Sequence, residues 1–305
     1  MNLYRDQRAS KTAAHKNSLT MLRISCTVDT QTSDFKMDDL WVAGFLQPVR
    51  VRVLTLPHLK MCIDTARDFL FAYPMNHLFL THAHIDHAGG LAYIVSQRGL
   101  MGLDNLKIYV HPNLVDDLRT ILMTWEKLEG FSYSYEFVPV IPGDVVDLDK
   151  KYFVKPFQVT HRVPTQGYCV FQKNKRLKSE LLSFSGEELA GMRAKGVEVD
   201  EHYSSPIFAY TGDTDIFFLD VCDKEVLKSK ALFIDCTYFD EAKPVDHAIE
   251  WGHIHFFQVV ENLHRFECEK LVLTHASNRY KKSGLEKTLS RLLTPHQLER
   301  VTCFP

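Results

Sequence analysis

Leu78-Phe79-Leu80-Thr81-His82-Ala83-His84-Ile85-Asp86-His87-Ala88-Gly89-Gly90 opens as an apolar strand, turns tightly and ends on a helix start with paired glycines. His82 and His84 stand two apart, so in an extended segment their side chains leave on one face and can grip one ion. Asp86 and His87 follow the turn and point elsewhere, toward a second ion. Imidazoles with a hard carboxylate suit zinc, or manganese and iron, and do not suit copper(I). The bland alternative is a surface histidine cluster. Four ligand-type residues within six positions, between a buried-type strand and a Gly-Gly helix start, speak against it.

The rest of the composition sets bounds. The chain has 305 residues, 45% hydrophobic and 24% charged, enough for a sizeable core without disulfides. Seven scattered cysteines with no CxxC pair argue against a secreted disulfide framework and against a structural zinc knuckle, and point to a reducing cytosol. No apolar run is long enough for a membrane span. A net charge of −2 advertises no polyanionic partner, so any nucleic-acid contact must come from local patches. Residues 1–37 hold Arg5, Arg8, Lys11, Lys16 and Arg23 among Ser, Thr and Asn. They read as a disordered extension, as sequence upstream of a start at Met21 or Met37, or as an organelle-targeting segment. The body is expected to begin at 38.

From about residue 40 short strands alternate with helices. Strands are expected at Trp41–Leu46, Val49–Thr55, Leu59–Asp64 and His77–Thr81, with a short helix at 66–73. A helix is expected from Asp86 toward Arg98, and another over Asn113–Leu128. Three strands follow at 134–138, 144–148 and 152–160. A hairpin of 167–172 and 176–183 carries Lys173, Lys175, Arg176 and Lys178. Ser185 with Glu188 is a capping box that starts a helix to about Lys195. Strands at 206–211, 231–235 and 270–274 alternate with helices at 222–229, 253–266 and 284–293. The fold class is α/β with a β-heavy mixed core.

Three further segments each end an apolar strand on a ligand-type residue: Val159-Thr160-His161, Ala209-Tyr210-Thr211-Gly212-Asp213 and Leu271-Val272-Leu273-Thr274-His275. With the run at 82–87, their order resembles the metallo-β-lactamase superfamily. The resemblance implies a four-layer αβ/βα sandwich, two mixed β-sheets flanked by helices. It implies two Zn2+ per subunit, with Mn2+ or Fe2+ as alternatives. One ion is held by His82, His84 and His161, the other by Asp86, His87 and His275, and Asp213 bridges both. Two ions about 3.5–4 Å apart can share a water, lower its pKa and clamp the attacked and leaving oxygens of a phosphodiester.

Within the superfamily the chain resembles ribonuclease Z, the tRNA 3′-processing endonuclease, and most closely its short plant-type form. The resemblance rests on Gln97-Arg98-Gly99-Leu100, Gln166-Gly167-Tyr168, Tyr210-Thr211-Gly212-Asp213-Thr214, Gly252-His253-Ile254-His255 and Leu273-Thr-His-Ala-Ser-Asn-Arg-Tyr280. It implies an endoribonuclease that removes the 3′ trailer from precursor tRNA as a homodimer without membrane attachment. Asp86, His253 and Asp235 are then the catalytic residues. His253, oriented by Asp235, assists proton transfer to the leaving oxygen; the family's acid at this position is a glutamate, one methylene longer. His255 is given a structural role.

The tRNA-gripping arm falls within 162–212. It is expected as an insert over 172–203 with Lys173, Lys175, Arg176 and Lys178 on the RNA, although the family's Gly-Pro arm motif is absent. Arg279 could hold a substrate phosphate as a bidentate fork. The runner-up keeps the metal site but gives it a smaller ester, as a phosphodiesterase, arylsulfatase or lactonase. A non-catalytic RNA-binding subunit is a third reading, disfavoured because all seven implied ligands are present.

Overall fold

The structure is a computed structural model and describes residues 32–37, 40–45, 53–65 and 72–304. The first sheet runs in chain order through β1 (Thr32–Met37), β2 (Leu40–Phe45), β3 (Val53–Leu56), β4 (Met61–Ile63), β5 (His77–Phe79), β6 (Leu106–Val110) and β7 (Tyr135–Pro139). It is antiparallel from β1 to β4 and parallel from β4 to β7. The second sheet repeats that plan with β8 (Val146–Asp147), β9 (Tyr152–Gln158), β10 (Gln166–Leu177), β11 (Asp200–Tyr210), β12 (Ala231–Asp235), β13 (Lys270–Thr274) and β14 (Val301–Cys303). It is antiparallel from β8 to β11 and parallel from β11 to β14.

Parallel neighbours need crossovers, and these supply the helices. The first sheet has α1 (Ile85–Ala88) and α2 (Leu91–Leu100) before β6, and α3 (Val115–Glu129) before β7. In the second half α4 (Gly186–Ala194) lies between β10 and β11. The crossovers there carry α5 (Phe218–Val221), α6 (Val245–Glu250), α7 (Phe256–Glu261), α8 (Lys282–Leu292) and α9 (Pro295–Arg300). No helix among the described residues is long and apolar enough to cross a membrane.

Alternation along the strands makes the layers. In β12, Ala231 and Phe233 face the space between the sheets, whereas Leu232 and Ile234 face the helices. Leu78 and Phe79 divide the same way in β5. Phe79, Tyr109, Tyr168, Phe208 and Phe233 meet between the sheets, among aliphatic side chains such as Leu56, Ile63 and Val272. Ile94, Val95, Leu118 and Leu122 cover the outer face of the first sheet, and Phe218, Phe256, Val259, Leu285 and Leu289 that of the second. The result is the αβ/βα sandwich with two mixed sheets.

Several expectations about local structure are corrected. Thr32–Met37 pairs with Leu40–Phe45, so residues 32–37 belong to the sheet and not to the extension. The helix expected from Asp86 is split at Gly89-Gly90 into α1 and α2. The turn expected near residues 173–175 is absent, since β10 runs through Leu177 and pairs with β11 out to Asp200. The run 222–229 holds only a 3-10 turn at Val226–Lys228, and α6, α9 and β14 were not expected. The readings at 1–31, the start of the strand at 49–55 and most of the helix at 66–73 lie outside the described residues.

Candidate metal centre

The site residues are brought together by strand ends. β5 leads into Leu80-Thr81-His82, and Leu80 N–H bonds Tyr109 O at 2.9 Å, so the extended course persists past the strand. The second sheet clamps this segment from across the sandwich. Gln166 N–H donates to Thr81 O at 3.1 Å, and the fully buried Tyr168 hydroxyl donates to Leu80 O at 2.8 Å. Gly167 between them admits no side chain, because a Cβ there would lie 2.3 Å from the Phe157 ring. His161 follows β9. Thr160 O accepts from Asp215 N–H at 2.9 Å and from Thr214 Oγ1 at 3.0 Å, which locks the His161 segment to the Asp213 loop. Gly212 (φ +65°) lets that loop turn onto Thr81; a Cβ would meet the Thr81 Cβ at 2.7 Å.

All seven residues of the implied set converge. Side-chain ligand atoms of His82, His84, His161 and Asp213 lie within 4.8 Å of one another, as do those of Asp86, His87 and His275. Asp213 stands between the groups, with Oδ2 3.8 Å from His82 Nε2 and Oδ1 3.2 Å from His87 Nε2 and 2.9 Å from His275 Nε2. A further group of the same tightness joins Asp213 and His275 to Asp235 and His253. Asp235 is otherwise engaged, however. It accepts from His253 Nδ1 at 2.6 Å, from Thr237 Oγ1 at 2.8 Å and from Thr214 N–H at 3.3 Å. Asp235 and His253 are thus an oriented pair beside the cluster.

The imidazoles share one habit. His82 gives its Nδ1–H to Thr81 Oγ1 (3.0 Å), His87 to Asp64 Oδ2 (2.7 Å), His161 to Gly252 O (2.9 Å) and His275 to Thr237 Oγ1. These acceptors fix the tautomer and turn Nε2 into the cluster. There the Nε2 atoms of His82, His87, His161 and His275 are buried and make no well-formed hydrogen bond. A structural histidine cluster would satisfy both nitrogens. Outward bonds on Nδ1 with inward, unsatisfied Nε2 are what metal-binding imidazoles need. The donor set, imidazoles and carboxylates without thiolates, suits divalent zinc, manganese or iron.

The electrostatics agree. Burial, then the neighbouring His87, depress His82 well below 6.5 against the pull of Asp213, and burial with His161 lowers His84. Both are therefore neutral, the state a metal ligand requires. For His87 burial acts downward, but Asp213 and Asp64 outweigh it and push the pKa up to about 10. Asp64 acts on the Nδ1 side of His87 and Asp213 on its Nε2 side, so a cation bound at Nε2 would have to displace the proton held there.

Arg279 lies outside the cluster, exposed beyond β13 and close enough to Tyr238 and Tyr280 to act on their hydroxyls. Lys173, Lys175, Arg176 and Lys178 lie in or just beyond the outer half of β10, where Lys173 pairs with Asp147 and Arg176 with Glu201 at 2.9 Å. Residues 172–203 hold six basic and six acidic side chains, so this hairpin carries no net charge. His255 caps α7 and bonds Asp240 O at 3.1 Å, a structural role. Sequence reasoning missed Asp64, Thr81 and Thr237, which orient the imidazoles. The signal for Asp64 was an acid closing the apolar run Met61-Cys62-Ile63, as Asp235 closes Ala231–Ile234.

Comparison with known proteins agrees with this geometry. Residues 70–276 match the model of the beta-lactamase superfamily domain. The chain is 31% identical to tRNase Z TRZ1 of Arabidopsis thaliana over 243 residues, 79% of this chain and 87% of that protein. It is 32% identical to the chloroplastic tRNase Z TRZ2 of the same plant over 238 residues, 78% of this chain and 67% of that protein. The crystal structure of the short form of human tRNase Z superposes with a TM-score of 0.51 at 17% identity, covering 90% of this chain and 89% of the human one, which shows the shared fold. On the domain match and the identity to the plant proteins, this chain belongs to the metallo-β-lactamase superfamily and, within it, to the tRNase Z family.

Proposed function

We propose that the chain is a metal-dependent endoribonuclease that removes the 3′ trailer from precursor tRNA. The observation that carries the reading is the convergence of His82, His84, His161, Asp86, His87, His275 and Asp213 with four buried Nε2 atoms turned inward. His82, His84 and His161 would hold one cation, Asp86, His87 and His275 a second, and Asp213 both, zinc being the proposed metal. When bound, such a pair supplies an ionised water at neutral pH and positive charge for the phosphodiester oxygens.

The chain's own groups do the rest. Asp86, with its side chain one-third exposed at the start of α1, is proposed as the base that takes the proton of the attacking water. His253, 15% exposed, gives its Nδ1–H to Asp235, so its Nε2 can deliver a proton to the leaving 3′ oxygen of the tRNA. That proton makes the 3′-hydroxyl as the phosphorus–oxygen bond breaks. Arg279 and the basic residues of β10 are proposed as phosphate contacts, and residues 172–203 as an RNA-gripping arm.

A homodimer is proposed as the working form. Ile121, Trp125 and Leu128 recur on one exposed face of α3, an apolar stripe of the kind that subunits cover. The cytosol is proposed as the compartment, on six free cysteines among the described residues. The charge balance of the arm favours one second reading, a phosphodiesterase of small esters. Cleavage of a precursor tRNA transcript decides between them. The wild type should cut it, EDTA should stop the cut, and Asp86→Ala should slow it at least about 100-fold. Intact RNA with metal-loaded wild type, alongside turnover of bis-p-nitrophenyl phosphate, would refute the ribonuclease reading.

A further inference from the structure

The turn that presents His253 also presents an indole. Trp251 is 48% exposed although it precedes Gly252, whose carbonyl takes the Nδ1–H of His161. Gly252 is left-handed (φ +72°), and a Cβ there would lie 2.7 Å from His161 Nδ1 and 3.2 Å from Arg162 Cγ. The turn is therefore seated directly on His161 and Arg162. The Arg162 guanidinium lies 4.8 Å from the centre of the Trp251 ring, and Arg162 is itself exposed. The backbone N–H of Trp251 bonds His247 O at 3.2 Å, and the His247 ring stands 6.1 Å from the indole. Tyr238 packs 5.3 Å from His247 and 6.4 Å from His253, which ties the group to the proton-transfer pair. A large, half-exposed aromatic ring is thus held rigidly at the lip of the site, with a cation on it.

An aromatic ring flanked by a guanidinium is how proteins hold unpaired RNA bases: the ring takes the face of any base, and the arginine stacks or meets a phosphate. We propose that Trp251, with Arg162, is a stacking shelf for one unpaired nucleobase next to the scissile phosphate. This rests on the ribonuclease reading above. The shelf holds the strand so that the phosphate on one side of that base enters the cluster, and Trp251 is a substrate-positioning residue with no part in the chemical step.

The test measures precursor tRNA cleavage by wild type, Trp251→Ala and Trp251→Phe. Each acts on a normal transcript and on transcripts with an abasic nucleotide on the 5′ or the 3′ side of the cut. Trp251→Ala should lower kcat/KM on the order of 10-fold, chiefly through KM, and Trp251→Phe should restore most of it. One of the two abasic substrates should lose a similar factor with wild type and nothing further with Trp251→Ala. The proposal is overturned if neither abasic substrate suffers with wild type, a result independent of any variant's folding. It is also overturned if the abasic penalty persists undiminished in Trp251→Ala, or if that variant loses kcat with KM unchanged. Wild type that leaves every precursor intact refutes the ribonuclease reading, and the shelf with it.

Discussion

Asp64 decides whether the cluster imidazoles are held ready or merely lie close together. It is fully buried, and its oxygens accept the Thr81 N–H at 2.8 Å, the Thr81 hydroxyl at 2.9 and 3.1 Å and the His87 Nδ1–H at 2.7 Å. Asp64→Ala leaves three buried donors without an acceptor. At roughly 1–3 kcal/mol for each orphaned group the sum is large, and breaking a buried imidazole–carboxylate pair alone costs about 3–5 kcal/mol. A loss of about 3–5 kcal/mol in chelator-treated protein is therefore expected, a fall in Tm on the order of 10 °C. The backbone adds to it, since φ at Asp64 is +59°, a region alanine tolerates poorly. Asp64→Gly removes that part of the loss, and Asp64→Asn keeps one acceptor oxygen in the same conformation. The asparagine amide cannot accept from His87 and Thr81 together. Its zinc affinity should fall about 10–100-fold with a smaller loss of stability. Unfolding of the chelated proteins and zinc titration against a competing chelator measure both effects. The reasoning is refuted if Asp64→Asn binds zinc as tightly as wild type, or if Asp64→Ala unfolds within about 1 kcal/mol of it.

Burial raises the pKa of Asp235, with His253 opposing, so ionising it in the folded state carries a penalty that is absent below about 3.8 and complete above the raised value. Asp235→Asn should therefore match or exceed wild-type stability near pH 7 while kcat falls about 10²–10⁴-fold. Calorimetric scans between pH 3.5 and 8 with single-turnover cleavage check both, and a less stable variant at pH 7 would mean that the His253 pair outweighs burial. On the arm, Lys175→Ala with Lys178→Ala should flatten the dependence of log kcat/KM on log salt by about 1–2 units; an unchanged slope would place the RNA elsewhere.

The sequence carried the strand-borne residues proposed as ligands because each follows an apolar run long enough to be recognised. Leu78-Phe79-Leu80, Val159-Thr160 and Leu271–Thr274 all announce a strand end, and the residue after such an end is free to face a cleft. What it did not carry is the partner that orients each ligand. His161 is held by the carbonyl of Gly252, and a carbonyl leaves no mark on residue type. The length of β10 was also illegible. Lys173-Asn174-Lys175-Arg176 looks like a turn, yet cross-strand pairing with Glu201, His202, Tyr203 and Ser204 holds it extended. Strand propensity is weak against such pairing. The break between α1 and α2 was readable in Gly89-Gly90, since two glycines weaken a helix at that point.

One construction recurs in the two halves of the sandwich. In the first sheet Asp64, just past β4, reaches across to Thr81 beyond its parallel neighbour β5 and through it holds His82, and it holds His87 of α1 directly. In the second, Asp235 at the end of β12 holds Thr237, two residues on in its own chain, and through it His275 just past the parallel neighbour β13; it holds His253, ahead of α7, directly. Each half thus places a buried carboxylate behind a threonine hydroxyl and an imidazole, where two parallel strands end side by side. The halves differ in what the directly held imidazole faces. His87 turns its Nε2 to Asp213 within the cluster, whereas His253 stands beside the cluster, its ring 5.6 Å from that of His161. A carboxylate behind a cluster imidazole raises its basicity and fixes its direction, which acts on affinity. A carboxylate behind an imidazole at the lip does the same for a proton in flight, which acts on rate. Loss of Asp64 should therefore be read in metal binding and loss of Asp235 in turnover. A reversal of those two readouts would mean that the halves are not divided between binding and proton transfer.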